Sequence, residues 1–378
     1  VRNTFPNNSK ISTNQLKKII VFDILSISML VIPRLAVSGA GKDGLIALFA
    51  GTVGAVLYAL LLLFFSDRLE TDYMSQCRHT LGRPGALLFG LCYLVKYFFS
   101  SVFVLTLFTT IIHETILPNT NLKVILLFLF LISIHYGSRQ FEVRARLVEV
   151  LYFIILIPLG LLFLLGIFNI NLVNLFPLMT APPAAITQTG YLVLLTYSAL
   201  EMLLFTAPSV TDQESKETKR NKVLQAILLC GVFNLLIYVV VVGLLGTAGA
   251  TQNVWSTVCV MQTIEIPGGF VPRQDAIMLA LWMGSIFTII STLIFYLCFI
   301  TKAITGCRQQ RYILWFYTIA LFVCTMKPLP LQMLYHYYGL YLAYIGFPLS
   351  ILLPLLLILV ARIKTRGEMS HEKNPLKA

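Results

Sequence analysis

The chain has 378 residues, is 58% hydrophobic and only 12% charged, with a mean hydropathy of +0.84. That is too apolar for a water-soluble domain, where charged residues make up about 25%. The net charge of +12 reads as basic loops of a membrane protein rather than as a nucleic-acid surface, and the scattered cysteines and histidines offer no CxxC pair or zinc-ligand spacing.

In chain order, a polar tail (1–18) precedes a series of apolar stretches near the roughly 20 residues that cross a hydrocarbon core. The first, Ile19–Val37, contains Asp23, Ser26, Ser28, Pro33 and Arg34. Its length, its start after Lys17-Lys18 and its Asp23 argue against a cleavable signal. The second, Gly44–Phe65, carries Gly51 and Gly54, which read as close helix packing rather than a phosphate cradle. Asp67–Gly82 is amphipathic and leads to the third span, Gly85–Ile112, which holds Lys96. Asn121–Gly137 and Leu147–Ile170 follow. The connection Asn171–Gln188 contains Pro177 and Pro182-Pro183 and no charged residue. The sixth span, Thr189–Ala207, holds Tyr197–Glu201 and is followed by Pro208; the seventh is Val223–Leu245. The connection Gly246–Pro272 is expected to contain a short surface helix. Ala276–Ile300, Tyr312–Met326 and Tyr337–Val360 complete the series before a second polar tail, 364–378. The reading is an all-α integral membrane protein with one ten-helix domain, 19–363.

Basic residues fall on alternate sides of these spans. With the N-terminus in the cytoplasm, 22 of the 28 lie on the inner side, including Lys17, Lys18, Arg68, Arg144, Arg146, Lys216 to Lys222 and Lys364. The outer side has Arg34, Lys42, Lys123, Arg273 and Lys327, and Lys96 lies within a span. Such a bias predicts that both termini are cytoplasmic.

Spans one and six share a feature. Each has hydroxyl residues mid-span and a proline later. Proline removes a backbone donor, and in lipid a freed backbone group survives only where it is buried in protein or lines a cavity. If the chain is two halves of five spans, one and six correspond, as in transporters built from inverted repeats with paired broken helices around a midplane site.

The ordered set Leu30-Val-Ile-Pro-Arg-Leu-Ala36, Gly41-Lys-Asp-Gly-Leu-Ile46, Tyr197-Ser-Ala-Leu-Glu-Met-Leu-Leu-Phe205, Trp255-Ser-Thr257, Ile266-Pro-Gly268 and Arg273-Gln-Asp275 resembles the spore germination permeases. These are the B subunits of GerA-type nutrient germinant receptors, in the amino acid–polyamine–organocation superfamily. The resemblance covers nearly the whole chain. It implies a LeuT-like five-plus-five inverted repeat with broken helices one and six, and no cofactor. It implies a place in the inner membrane of the spore beside A and C subunits. It also implies a pocket for a small nutrient such as an amino acid, formed by Ser26, Ile27, Ser28 and Met29 of helix one, Tyr197, Ser198, Ala199, Leu200 and Glu201 of helix six, Lys96 and Tyr97 of helix three, and Thr288 of helix eight. The chain departs from the family in having Ser26 and Ser28 in place of helix-one glycines, Ala199 for a common glycine, and Ser256 after Trp255 where proline is usual.

The charged residues carry alternatives. Glu201 is an intramembrane carboxylate, a functional candidate by default, which can hold a ligand ammonium, bond unwound backbone amides, exchange a proton, or simply brace the helix. Lys96 can snorkel to the interface, stand in for a coupling cation, or pair with Glu201. Arg34 can meet an anionic ligand group, join an outer gate or anchor to headgroups. Asp23 and Glu149 are expected to form surface ion pairs with Lys17, Lys18, Arg144 or Arg146. No nucleophile–base or metal constellation suggests an enzyme. The functional expectation is a nutrient-sensing subunit in which half-helix N-termini face a ligand carboxylate, with an active secondary amino acid transporter, with or without proton coupling, as the rival.

Overall fold

The computed structural model describes residues 10–69, 71–137, 141–206, 210, 215–264, 274–307, 309–326 and 330–372. Helices account for nearly all of it, and the described residues include no β-strand. In order they are α1 (Thr13–Ala40), α2 (Gly44–Ser66), α3 (Tyr73–Thr115), α4 (Leu122–Gly137), α5 (Phe141–Gly166), α6 (Pro183–Thr196), α7 (Met202–Thr206), α8 (Lys216–Gln252), α9 (Ser256–Thr263), α10 (Gln274–Thr305), α11 (Gln310–Thr325), α12 (Leu331–Tyr341) and α13 (Phe347–Glu372). Each expected span falls on helix. Six helical stretches are long and apolar enough to cross a membrane, one of which, Thr13–Ser66, contains both α1 and α2. The bent pair formed by α6 with residues 198–206 adds another. At 16 residues each, α4 and α11 are short of the usual span. The ends of the chain (1–9 and 373–378) and the Ile266-Pro-Gly268 motif lie outside the described residues.

Two groups of helices pack together. One is α1, α2, α6 and α8; the other is α3, α4, α10 and α11. These are the first and second spans of each half in one group and the third and fourth in the other, the assignment a five-plus-five repeat requires. At the α2–α6 crossing a Cβ on Gly51 would lie 2.5 Å from Val193 Cγ1 and 2.8 Å from the Gly190 carbonyl. Only glycine allows that approach. Lys17 reaches Gln225, Lys18 reaches Glu149, Lys219 reaches Ser66 and Lys364 reaches the His79 carbonyl. The segments that charge alternation assigned to one side therefore do meet at one end of the bundle, the tail end.

Helix one corrects the expectation of a break: α1 is a single helix with Pro33 inside it. Pro33 has no N–H to give the carbonyl of Met29, four residues earlier. The hydroxyl of Thr257, on α9, donates to that carbonyl instead, at 2.6 Å. The orphaned acceptor is thus satisfied without unwinding the helix. The same contact explains why α9 is not the surface helix expected in this connection; Ser256, Thr257, Val258, Val260 and Met261 are all buried.

At the end opposite the tails, the adjacent charges Lys42 and Asp43 clamp the uncharged connection between α5 and α6. Lys42 Nζ donates to the carbonyls of Val173 (2.9 Å) and Phe176. The buried Asp43 carboxylate accepts from the backbone N–H groups of Met179, Thr180 (2.7 Å) and Ala181 (2.6 Å). Burial by itself would raise the Asp43 pKa, but the N–H donors of Ala181, Met179 and Thr180 outweigh it and hold the carboxyl below its ordinary range. The clamp sits just before Pro183, the first residue of α6, and so fixes where helix six begins.

Two outcomes are expected. Thr257→Val should cost about 1–3 kcal/mol, the penalty for orphaning a buried acceptor, and much less in a Pro33→Ala background, where residue 33 regains its own N–H. Denaturant unfolding of the four variants measures this, and an equal cost in both backgrounds contradicts the pairing. Because the folded pKa of Asp43 is depressed, its contribution is complete above the ordinary carboxylate value of about 3.9 and is lost as pH falls through the lower folded value. Asp43→Ala should therefore expose the 171–182 connection to pepsin at pH 5, where the wild type resists; identical cleavage of the two proteins would count against the clamp.

Candidate functional site

Helix six is where the regular backbone gives way. The α-helical ladder of α6 stops at Thr196, and Tyr197 leaves helical geometry at φ −88°, ψ 8°. A 3₁₀ turn, Ser198–Glu201, carries the chain to α7, and the two segments meet at a 47° bend. A 3₁₀ turn shortens the hydrogen-bond register from four residues to three; here Tyr197 N bonds Leu194 O and Leu200 N bonds Tyr197 O. The turn points Glu201 toward α3.

There Lys96 Nζ meets Glu201 Oε2 at 2.5 Å. Both side chains are almost completely buried, at 4% and 3% exposure. Lys96 therefore does not snorkel. Each charge removes the other's need for a counter-ion inside the membrane. The pair borders a cavity of about 60 Å³. Tyr97 and Tyr296 stack beside it, ring centroids 5.2 Å apart, and the hydroxyls of both are buried without a hydrogen-bond partner. Tyr338 closes another wall, its hydroxyl 3.0 Å from Ser100 Oγ and its ring stacked on Phe103 at 4.0 Å.

Six of the twelve residues expected to form the pocket line this cavity: Ile27, Lys96, Tyr97, Ser198, Ala199 and Glu201. The other six brace the helices around it. Ser26 Oγ donates to the carbonyl of Phe22, and Thr288 Oγ1 to that of Ser285. Ser28 Oγ bonds Asn234, whose amide reaches the Tyr197 hydroxyl, which in turn lies 3.4 Å from Thr52 Oγ1. Met29 offers the carbonyl taken by Thr257, and Leu200 is fully buried.

Sequence reasoning missed three contributors. Asp23 lines the same cavity. It accepts from Arg144 at 2.8 and 2.9 Å and from Thr292 at 3.4 Å. At 2% and 3% exposure this is a buried pair, not the surface pair expected; Glu149 with Lys18 is the half-exposed one. Tyr296 and Tyr338 are the other two, and only the packing of α10 and α12 brings them in. A five-residue π-helical turn, Leu342–Gly346, separates α12 from α13. Its Ala343 carbonyl accepts from the Tyr191 hydroxyl at 2.6 Å, and Gly346 packs near the Lys96 side chain.

A larger cavity, about 650 Å³, opens toward the Lys42 end. On α1, Ile27 faces the small cavity, while Leu30, Val31 and Arg34 face the large one. On α12, Tyr338 faces the small cavity, and Tyr335 and Gly339 the large one. The two spaces are thus stacked along α1, the small one meeting Asp23 and Ile27 and the large one Leu30 to Ser38.

A family model described as spore germination protein matches residues 10–333. The chain belongs to that family. Curated relatives include spore germination protein YndE of Bacillus subtilis (strain 168), 23% identical over 291 residues, covering 75% of this chain and 78% of the relative. Spore germination protein A2 of the same organism is 24% identical over 285 residues, 74% and 76% of the two chains. GerLB of Bacillus cereus is 27% identical over 174 residues, 46% of each. Among solved structures, the substrate-bound outward-open state of a Na⁺-coupled sialic acid symporter superposes with a TM-score of 0.60 at 12% identity, covering 93% of this chain and 77% of that one. That likeness shows the fold. This member of the spore germination family is a permease-like, germination-related membrane protein with a transporter architecture.

The buried pair has a distinctive energetic signature. Lys96→Met or Glu201→Gln alone leaves one charge uncompensated and should cost about 3–5 kcal/mol. The double variant should recover most of that loss. Thermal unfolding in nanodiscs reads the cycle, and additive losses would show that the two charges do not depend on each other.

Proposed function

We propose that this protein is the nutrient-sensing, permease-like subunit of a spore germinant receptor, and that a small zwitterion such as an amino acid binds at the Lys96–Glu201 pair. The observation that carries the reading is this buried, neutral pair at the bend of helix six, facing a cavity. A zwitterion is matched to it. The ligand ammonium takes Glu201, the ligand carboxylate takes Lys96, and one ion pair becomes two with no change in net buried charge. The Tyr97 hydroxyl, beside the Glu201 carboxylate, and the Tyr296 hydroxyl are placed to complete the ligand's hydrogen bonds.

The expected role of half-helix N-termini is replaced in this reading. Helix one is unbroken and helix six passes through a 3₁₀ turn, so Lys96 supplies the positive charge for the carboxylate. At about 60 Å³ the cavity is much smaller than the roughly 300–1,000 Å³ of ordinary ligand sites. In this reading the small cavity is closed to a ligand. Binding requires the Phe103–Tyr338 stack and the ion pair to part, so a ligand with higher affinity for the opened form shifts the population toward it. In a receptor, partner subunits corresponding to A and C would read that shift. The basic tail end would face the cytoplasm, with both termini inside and the larger cavity outside, in the inner membrane of the spore.

The transporter fold also supports a second reading, an active amino acid transporter that uses the same pair, with a proton as the coupling ion. Proteoliposome flux separates the two: sustained concentrative uptake of labelled amino acid assigns the protein to transport, and saturable binding without uptake assigns it to sensing.

For the site itself, labelled L-amino acids binding in nanodiscs should be displaced by other zwitterions. Neither a methyl ester nor an N-acetyl derivative of the same amino acid should displace the part of the label whose binding is lost in Lys96→Met/Glu201→Gln, because each lacks one charge. Equal competition by either derivative removes the zwitterion exchange, and undiminished binding to Glu201→Gln removes the pair from the site.

A further inference from the structure

The cavity of about 650 Å³ lies within the usual range for small-molecule sites. Among the described lining residues Arg34 is the one charged side chain, and it lies on α1 about two helical turns beyond Ile27 of the small cavity. Arg34 is half-buried, and among the described residues no carboxylate pairs with it. Gln188 of α6 and Gln332 and His336 of α12 add polar groups, and among the described residues no acidic side chain lines the space. The rest of the wall is largely aromatic and aliphatic. Tyr335 lines the same wall as Arg34, and Tyr191 is held in place by its bond to the π-turn carbonyl of Ala343.

This combination has a definite chemical preference. A guanidinium presents parallel N–H donors that match a carboxylate and strengthen when partly desolvated. Aromatic walls take a flat or branched apolar body. We infer that this outer cavity is a binding site of its own, which captures a small amphipathic monocarboxylate through Arg34 before the ligand reaches the inner cavity. The ammonium is not read here, since none of the described residues lining the cavity is acidic. Selection is divided: carboxylate and side-chain shape at Arg34, and the full zwitterion at Lys96–Glu201. The inference rests on the reading above only for the class of ligand and its direction of approach.

The probe is labelled L-phenylalanine in nanodiscs, with phenylacetate and phenethylamine as competitors. Phenylacetate, which keeps the carboxylate, should compete for the outer site, and phenethylamine, which lacks it, should not. Arg34→Gln should weaken this phenylacetate-sensitive binding by roughly tenfold or more, as expected for loss of a charge-assisted hydrogen bond, and Arg34→Lys should weaken it less. Lys96→Met/Glu201→Gln tells the two sites apart. Phenylacetate-sensitive binding that survives in this double variant but not in Arg34→Gln upholds the outer site even if the inner reading fails. Binding that is lost in the double variant and unchanged in Arg34→Gln overturns the outer site and leaves the inner one standing. No phenylacetate-sensitive binding in the wild type also overturns it. Comparing phosphatidylcholine with phosphatidylglycerol nanodiscs tests the lipid alternative: affinity should be the same in both, and competition by the anionic lipid would reassign Arg34 to a headgroup phosphate.

Discussion

Two opposite charges 2.5 Å apart inside a membrane bundle constrain everything around them. Neither Lys96 nor Glu201 can be exposed to lipid, and neither can be left alone, because a lone buried charge costs far more than a neutral pair. Helix six must bend where it does to bring Glu201 to α3, and the helices must close over the pair. The small cavity is the space left by that closure. A second neutral pair, Asp23 with Arg144, borders the same cavity and ties α1 to α5. Each of these two pairs carries no net charge, so in the proposed reading a zwitterion that enters exchanges partners rather than adding charge.

Around this centre the backbone obeys the same rule that the charges obey. The proline in helix one does not break it, because Thr257 supplies the missing donor from another part of the chain. The turn in helix six is accommodated by a shift to three-residue bonding. The π turn before α13 exposes a carbonyl that Tyr191 takes, and it backs onto Lys96. A π turn is a local irregularity that frequently marks functional sites; here it touches the walls of both cavities. Beyond these, Lys42 and Asp43 spend both charges on the backbone of the uncharged connection, which fixes the start of helix six.

Much of this was legible in the residues. Hydropathy marks the helices, charge alternation gathers the tail-end loops, and the isolation of Glu201 and Lys96 in apolar spans singles them out. The break in helix one was misjudged because proline signals only that a donor is missing. Whether a hydroxyl 228 residues away supplies it is a tertiary fact. Ser28 and Tyr197 looked like pocket residues, yet their hydroxyls belong to a chain of bonds joining α1, α8, α6 and α2. Asp23, Tyr296 and Tyr338 were hidden for the opposite reason: their roles depend on helix rotation, which a uniformly apolar span does not encode. The Gly41-Lys-Asp-Gly motif was visible as a resemblance, but its clamp needs the fold to bring residues 173–181 beside it.

The central claim is that a ligand enters by parting Lys96 from Glu201. A cryo-EM structure of the protein saturated with a bound amino acid tests it most directly. Ligand density is expected between the two side chains, with their nitrogen and oxygen separated beyond the ion-pair limit of roughly 4 Å and the Tyr338 ring lifted from Phe103. Ligand density elsewhere with the pair still closed at 2.5 Å would contradict it.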